Sequence, residues 1–70
     1  MEQNYRITIY TTEVIIEGSF YRKEIAISTV IDFKKRFDDF LIGILSKKIK
    51  GEWVPICSIV NGRSSIIYYL

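Results

Sequence analysis

Tyr5-Arg6-Ile7-Thr8-Ile9-Tyr10-Thr11-Thr12-Glu13-Val14-Ile15-Ile16-Glu17-Gly18-Ser19-Phe20-Tyr21, residues 5–21, is the stretch on which the fold turns. From Tyr5 to Tyr10 the side chains alternate with period two. Tyr5, Ile7 and Ile9 share one face and Arg6 and Thr8 the other, as in a half-buried strand. Thr11, Thr12 and Glu13 make a polar break. Val14 to Tyr21 then reads as a second strand with Val14, Ile16, Gly18 and Phe20 in register, so the two segments predict a hairpin. Gly18 in mid-strand gives up packing and backbone entropy; the expected reason is a bulge or sharp bend where a barrel sheet turns its corner.

Working outward, Phe40 to Leu45 is an apolar run broken only by Gly43. Its length fits a buried strand, extended by Ser46 to Ile49. Lys50-Gly51 predicts a tight turn into a strand from Trp53 to Val60, where Pro55 cannot donate to a ladder and marks an edge or a bulge. Asn61-Gly62 predicts a type I′ turn and a closing hairpin whose second arm runs from Ser64 to Leu70. Between Arg22 and Phe37 the pattern is mixed. Ile25 and Ile27 continue an alternation, whereas Val30, Phe33 and Phe37 fall at helical spacing. With Ser28 as an N-cap, a short helix is expected from Thr29 to about Lys35. The fold class is therefore mainly β: one domain over residues 1–70, a five-stranded small barrel with one short helix in the middle.

Composition bounds the function. A chain of 70 residues buries only roughly 60% of its unfolded surface, yet 49% of this one is hydrophobic, including fourteen isoleucines, against 26% charged. Order follows, and β-branched and aromatic residues favour strands. Cys57 is the single cysteine, so no disulfide can staple the domain and a reducing cytoplasm is the expected location. No stretch approaches the roughly 18 apolar residues of a membrane span, and the N-terminal residues do not read as an export signal.

The chain has no histidine. With only one cysteine besides, the usual zinc frameworks cannot be assembled, and a histidine-based nucleophilic triad is excluded. Asp38-Asp39 is the one paired carboxylate, and adjacent strand residues point to opposite faces, so the two do not converge on one atom. The four glycines stand apart and form no phosphate loop. No catalytic residue, cofactor or metal site is expected, and the chain is not expected to be an enzyme. Cys57 reads as a small buried hydrophobe.

Two apolar faces remain in the closing segments. Ile66, Tyr68 and Leu70 lie on one side, Ile67 and Tyr69 on the other; Leu41 and Leu45 likewise oppose Phe40, Ile42 and Ile44. Either the helix covers the second face within one chain or a second copy does. Self-association is the favoured expectation, making the chain a binding or assembly module and homo-oligomer that meets itself and a possible protein partner through Trp53, Ile67 and Tyr69. The rival is an RNA- or DNA-binding small barrel. It would use two basic clusters, Lys34-Lys35-Arg36 and Lys47-Lys48 with Lys50, helped by the aromatic rings of Tyr10, Tyr21 and Trp53. Net charge is only +2, with Asp32, Asp38, Asp39 and Glu52 beside the lysines.

The order of these features resembles the Sm-like and SH3-like small barrels. Val14-Ile15-Ile16-Glu17-Gly18-Ser19-Phe20 is similar to the bent second strand of the Sm fold, and Val60 to Tyr69 to its last turn and closing strand. The chain also resembles a family of short, uncharacterised bacterial proteins of this shape, with Ile16-Glu17-Gly18, Ile27-Ser28, Phe40-Leu41-Ile42 and Val60-Asn61 in the corresponding places. The resemblance implies a barrel and a ring-forming habit. It implies no RNA pocket, because the Asp and Asn loop and the Arg-Gly step of RNA-gripping Sm proteins are missing; Asn61-Gly62-Arg63 has them reordered.

Overall fold

A computed structural model describes residues 2–62 and 65–69. Its elements are β1 (Tyr5–Thr11), β2 (Ile15–Phe20), α1 (Lys23–Arg36), β3 (Phe40–Ile49), β4 (Glu52–Val60) and β5 (Ile67–Tyr68). The strands form one antiparallel sheet in the order β2-β1-β3-β4-β5. Because β1 is antiparallel to both β2 and β3, those two run the same way with β1 between them, and α1 makes the crossover. The chain is mainly β with one helix, as expected. The expected barrel closure is not seen among the described residues, where β2 and β5 stand at opposite edges of an open sheet.

The first hairpin forms as the alternation predicts. Thr11 closes it: its Oγ1 accepts from the Val14 amide at 2.9 Å, and its own amide donates to the Val14 carbonyl at 3.0 Å. Pairing with β1 runs unbroken from Tyr10–Ile15 to Tyr5–Phe20, so Gly18 marks no bulge. Phe20, two residues along on the same face, leans its ring over Gly18, within 3.4 Å of where a Cβ would stand, which is ordinary contact distance.

The helix is twice the expected length, fourteen residues, and starts at Lys23. Ser28 is not its cap; its hydroxyl and that of Thr29 donate back to the Ile25 carbonyl from inside the helix, at 3.0 and 2.8 Å. The β-branched residues from Ile25 to Ile31 carry low helix propensity. Packing overrides it: Ala26, Val30 and Phe33, at i, i+4 and i+7, line the face turned to the sheet. Glu24 in the first turn and Lys34, Lys35 and Arg36 in the last suit the helix dipole.

The core lies between α1 and one face of the sheet: Ile7 and Ile9 of β1, Phe40 and Leu45 of β3, Cys57 and Ile59 of β4, with Ala26 and Val30 above them. Gly43 sits in the middle. A Cβ there would run into Val30 Cγ1, so the helix backbone comes this close only because residue 43 has no side chain.

Two register shifts reassign the β3 and β4 side chains. Tyr10 pairs with Ile42 but Thr11 with Phe40, so Leu41 is the extra residue of a bulge. Phe40 therefore joins the core beside Leu45 instead of sharing a face with Ile42 and Ile44, and Leu41 stays exposed. Leu45 pairs with Cys57 but Ser46 with Pro55, which puts the second bulge at Ile56, next to the proline. The type I′ chemistry falls at Lys50-Gly51, where both residues have positive φ, 52° and 81°. At Asn61-Gly62 only the glycine does, at 82°. Among the described residues β5 pairs with β4 as Ser58–Ile67 and Cys57–Tyr68. Of the predicted closing arm and turn, Arg63, Ser64 and Leu70 lie outside the described residues.

Candidate protein-contact surface

Register and alternation place Arg6, Thr8 and Tyr10 of β1, Ile15, Glu17 and Ser19 of β2, and Ile42, Ile44, Ser46 and Lys48 of β3 on the sheet face opposite α1. Trp53, Pro55, Ser58 and Val60 of β4 and Ile67 of β5 share it. No helix covers this face among the described residues. It is the second apolar face read from the sequence, and α1 does not reach it.

Arg6 organises one end of the face. Its Nη1 lies 3.8 Å from Glu17 Oε2 on β2, and its guanidinium carbon sits 4.4 Å from the ring centre of Trp53 on β4. The arginine spans β3 because Ser46, opposite it, is short and buried beneath it. Lys48 approaches the same indole at 5.8 Å. Trp53 is thus half-buried with cations against its ring, an arrangement worth about 0.5–2 kcal/mol per contact depending on solvation. Ile67 is half-buried opposite Ser58, while Tyr69, whose amide donates to the Ile56 carbonyl at 2.9 Å, is 50% exposed. The three residues expected to meet a partner all belong to the β4–β5 side of the sheet.

The basic residues are not brought together. Lys34, Lys35 and Arg36 end α1, and the first two rim a cavity of about 370 Å³ floored by Ile31, Ile59 and Ile66, at the end of the sheet where β4 finishes. Lys47, Lys48 and Lys50 lie at the other end of β3, ten residues long, or about 30 Å as extended chain. Lys47 and Lys48 also point to opposite faces, towards Tyr5 at 5.9 Å and Trp53 respectively. Asp38 and Asp39 form the turn between α1 and β3. No group of three or more histidine, cysteine, aspartate or glutamate side chains able to hold a metal occurs among the described residues, and no helix there is long and apolar enough to cross a membrane.

Exposure points to a region that sequence reasoning passed over. Among the large apolar side chains left in solvent, Val14, Ile15, Ile16 and Tyr21 cluster on β2 and its flanks, with Tyr10 beside Ile15. The signal was present in the run Val14-Ile15-Ile16, which alternation alone assigns half to a core. Strand order makes it an edge instead.

Cys57 is fully buried and free. Burial pushes its thiol above the ordinary range, with the Lys23 ammonium opposing. The folded chain therefore favours the neutral thiol. That contribution to stability is intact below the unfolded thiol's pKa of about 8.5 and is lost as pH rises through the raised folded value. Native protein is expected to react with a thiol reagent only as fast as it unfolds, and the alkaline fall in urea midpoint should shrink in Cys57→Ala. Reaction at the rate of a free cysteine would show the thiol to be accessible.

No protein-family model, curated protein or solved structure matches the chain.

Proposed function

We propose that the chain is a non-enzymatic assembly module that associates with itself and contacts other proteins through the uncovered side of its sheet. One observation carries the proposal: the single helix packs on one face, while the opposite face and the β2 edge keep large apolar side chains in solvent. An exposed apolar surface of this kind marks a contact site. Trp53, Ile67 and Tyr69 are the residues proposed for protein contact on the β4–β5 side. The ring-forming habit of Sm-like barrels agrees with self-association, which needs no barrel closure here. A lone buried cysteine suits a reducing, cytoplasmic setting.

Sedimentation at micromolar concentration tests the proposal. The expected mass is a multiple of 8.2 kDa; a monomer throughout overturns it. Titration with short RNA and DNA at two salt concentrations tests the nucleic-acid rival. With the basic clusters at opposite ends of the molecule, little binding is expected. Affinity that falls steeply with salt would favour that rival instead.

A further inference from the structure

β2 is an outer strand, and none of the backbone hydrogen bonds among the described residues uses its outer edge. The groups that face outward follow from the hairpin. The Thr11 amide bonds the Val14 carbonyl, so Thr11–Val14 is a hydrogen-bonded pair, and alternation makes Ile9–Ile16, Ile7–Gly18 and Tyr5–Phe20 hydrogen-bonded pairs too. Ile15, Glu17 and Ser19 therefore turn their N–H and C=O groups away from β1. Edge strands are normally blunted by charged side chains, lysine above all, by proline, by a bulge or by a covering element. β2 carries one charge, Glu17, and neither lysine nor proline, its pairing with β1 is unbroken, and Ile15 and its neighbour Val14 are 63% and 53% exposed.

We propose that two copies of this chain pair β2 with β2, antiparallel about a two-fold axis, with Gly18 facing the second copy's Gly18 so that the two sheets become one. This proposal rests on the self-association proposed above and adds the surface that performs it. Charge and shape select the register. Centred on Gly18, Glu17 lies beside the second copy's Ser19, and beyond that short side chain stands the second copy's Arg6, paired with Ser19 on β1. Two strand spacings, about 10 Å, separate the Glu17 and Arg6 backbones, a gap that two long side chains close. Each carboxylate then lies between two guanidinium groups. On the helix side Ile16 faces the second copy's Phe20, and the two glycines leave room for both rings. Ile15 comes opposite Tyr21. A register centred on Glu17 would set like charges directly opposite, which is destabilising. One centred on Ile16 would set Ile15 against Glu17. The Gly18 register also satisfies about four backbone hydrogen bonds, two for each Glu17–Ser19 pair. An isologous contact of this type closes at two copies.

Ser19→Pro tests the pairing because it removes an amide that points outward and leaves the bonds to β1 in place. Glu17→Arg tests the charge register at the cost of one exposed ion pair within the monomer. The wild-type chain is expected to sediment as a dimer. Both variants should stay folded by circular dichroism, and each should raise the dimer dissociation constant at least about 100-fold. The Glu17 and Ser19 amides of wild type should exchange with deuterium more slowly as concentration rises. A monomeric wild type overturns self-association itself. A wild-type dimer that persists in Glu17→Arg, with Glu17 and Ser19 amides unprotected at every concentration, overturns β2 pairing and leaves self-association standing, with Trp53→Ala and Ile67→Ser then expected to dissociate it. Should Ser19→Pro fail to fold, Glu17→Arg and the exchange measurement decide alone.

Discussion

Phe40→Ala is expected to cost the domain a large share of its stability and to unfold it if that stability lies at the low end of the usual range. Phe40 is 1% exposed, the largest of the fully buried side chains, and it packs between Phe33, with ring centres 6.4 Å apart, and the helix-facing side of β3. Truncating a buried phenylalanine costs about 3–5 kcal/mol in lost transfer energy and residual cavity. A chain of this length has roughly 4–10 kcal/mol of stability in total, at typical per-residue values. The loss therefore takes roughly three-tenths of the stability at the high end of that range and most or all of it at the low end. Urea unfolding followed by Trp53 fluorescence and circular dichroism measures it. A loss under about 1 kcal/mol would mean that the ring is not in the core, and that the bulge at Leu41 does not return Phe40 to the helix side.

Gly43→Ala is the second large effect, and it runs against the usual gain in strand and helix propensity. The new methyl group would occupy the space of Val30 Cγ1. Either α1 lifts from the sheet or Val30 leaves its rotamer, and overpacking of this kind costs about 1–3 kcal/mol. The diagnostic is the pair. Against a Val30→Ala background the clashing methyl is gone, so alanine at 43 should cost much less, with a coupling of about 1 kcal/mol or more between the two sites. Strictly additive losses in the double-mutant cycle would show that the helix does not rest on Gly43. The result also bears on function, because the position of α1 on this face is what leaves the other face uncovered.

Both effects lie where the sequence was hardest to read. Alternation located β1 and β2 to within a residue or so, because a strand with one buried face must place apolar side chains at every second position, while a short apolar run and its flanking turn signals located β3 and β4. Turn chemistry placed the Lys50-Gly51 connection, and the missing amide of Pro55 linked that residue to a bulge. Alternation failed for α1, since Ile25, Ile27, Thr29, Val30 and Ile31 are strand-formers by propensity and are held helical by what they pack on. It failed for Phe40 because one inserted residue, Leu41, reverses the face of everything before it. The candidate contact residues were legible only as an excess. Trp53, Ile67 and Tyr69 do lie on one side of the sheet, but Ile15, the most exposed of the large apolar side chains described, is on β2.

Composition and period two by themselves determined a mainly β chain with an excess of apolar side chains, because those properties depend only on neighbours in the chain. Strand order, the two bulges and the seat of α1 on Gly43 came from contacts between residues far apart in the chain, which local pattern does not encode. Those contacts decide which apolar side chains are buried and which are left at an edge, and so where a second copy of the chain would join.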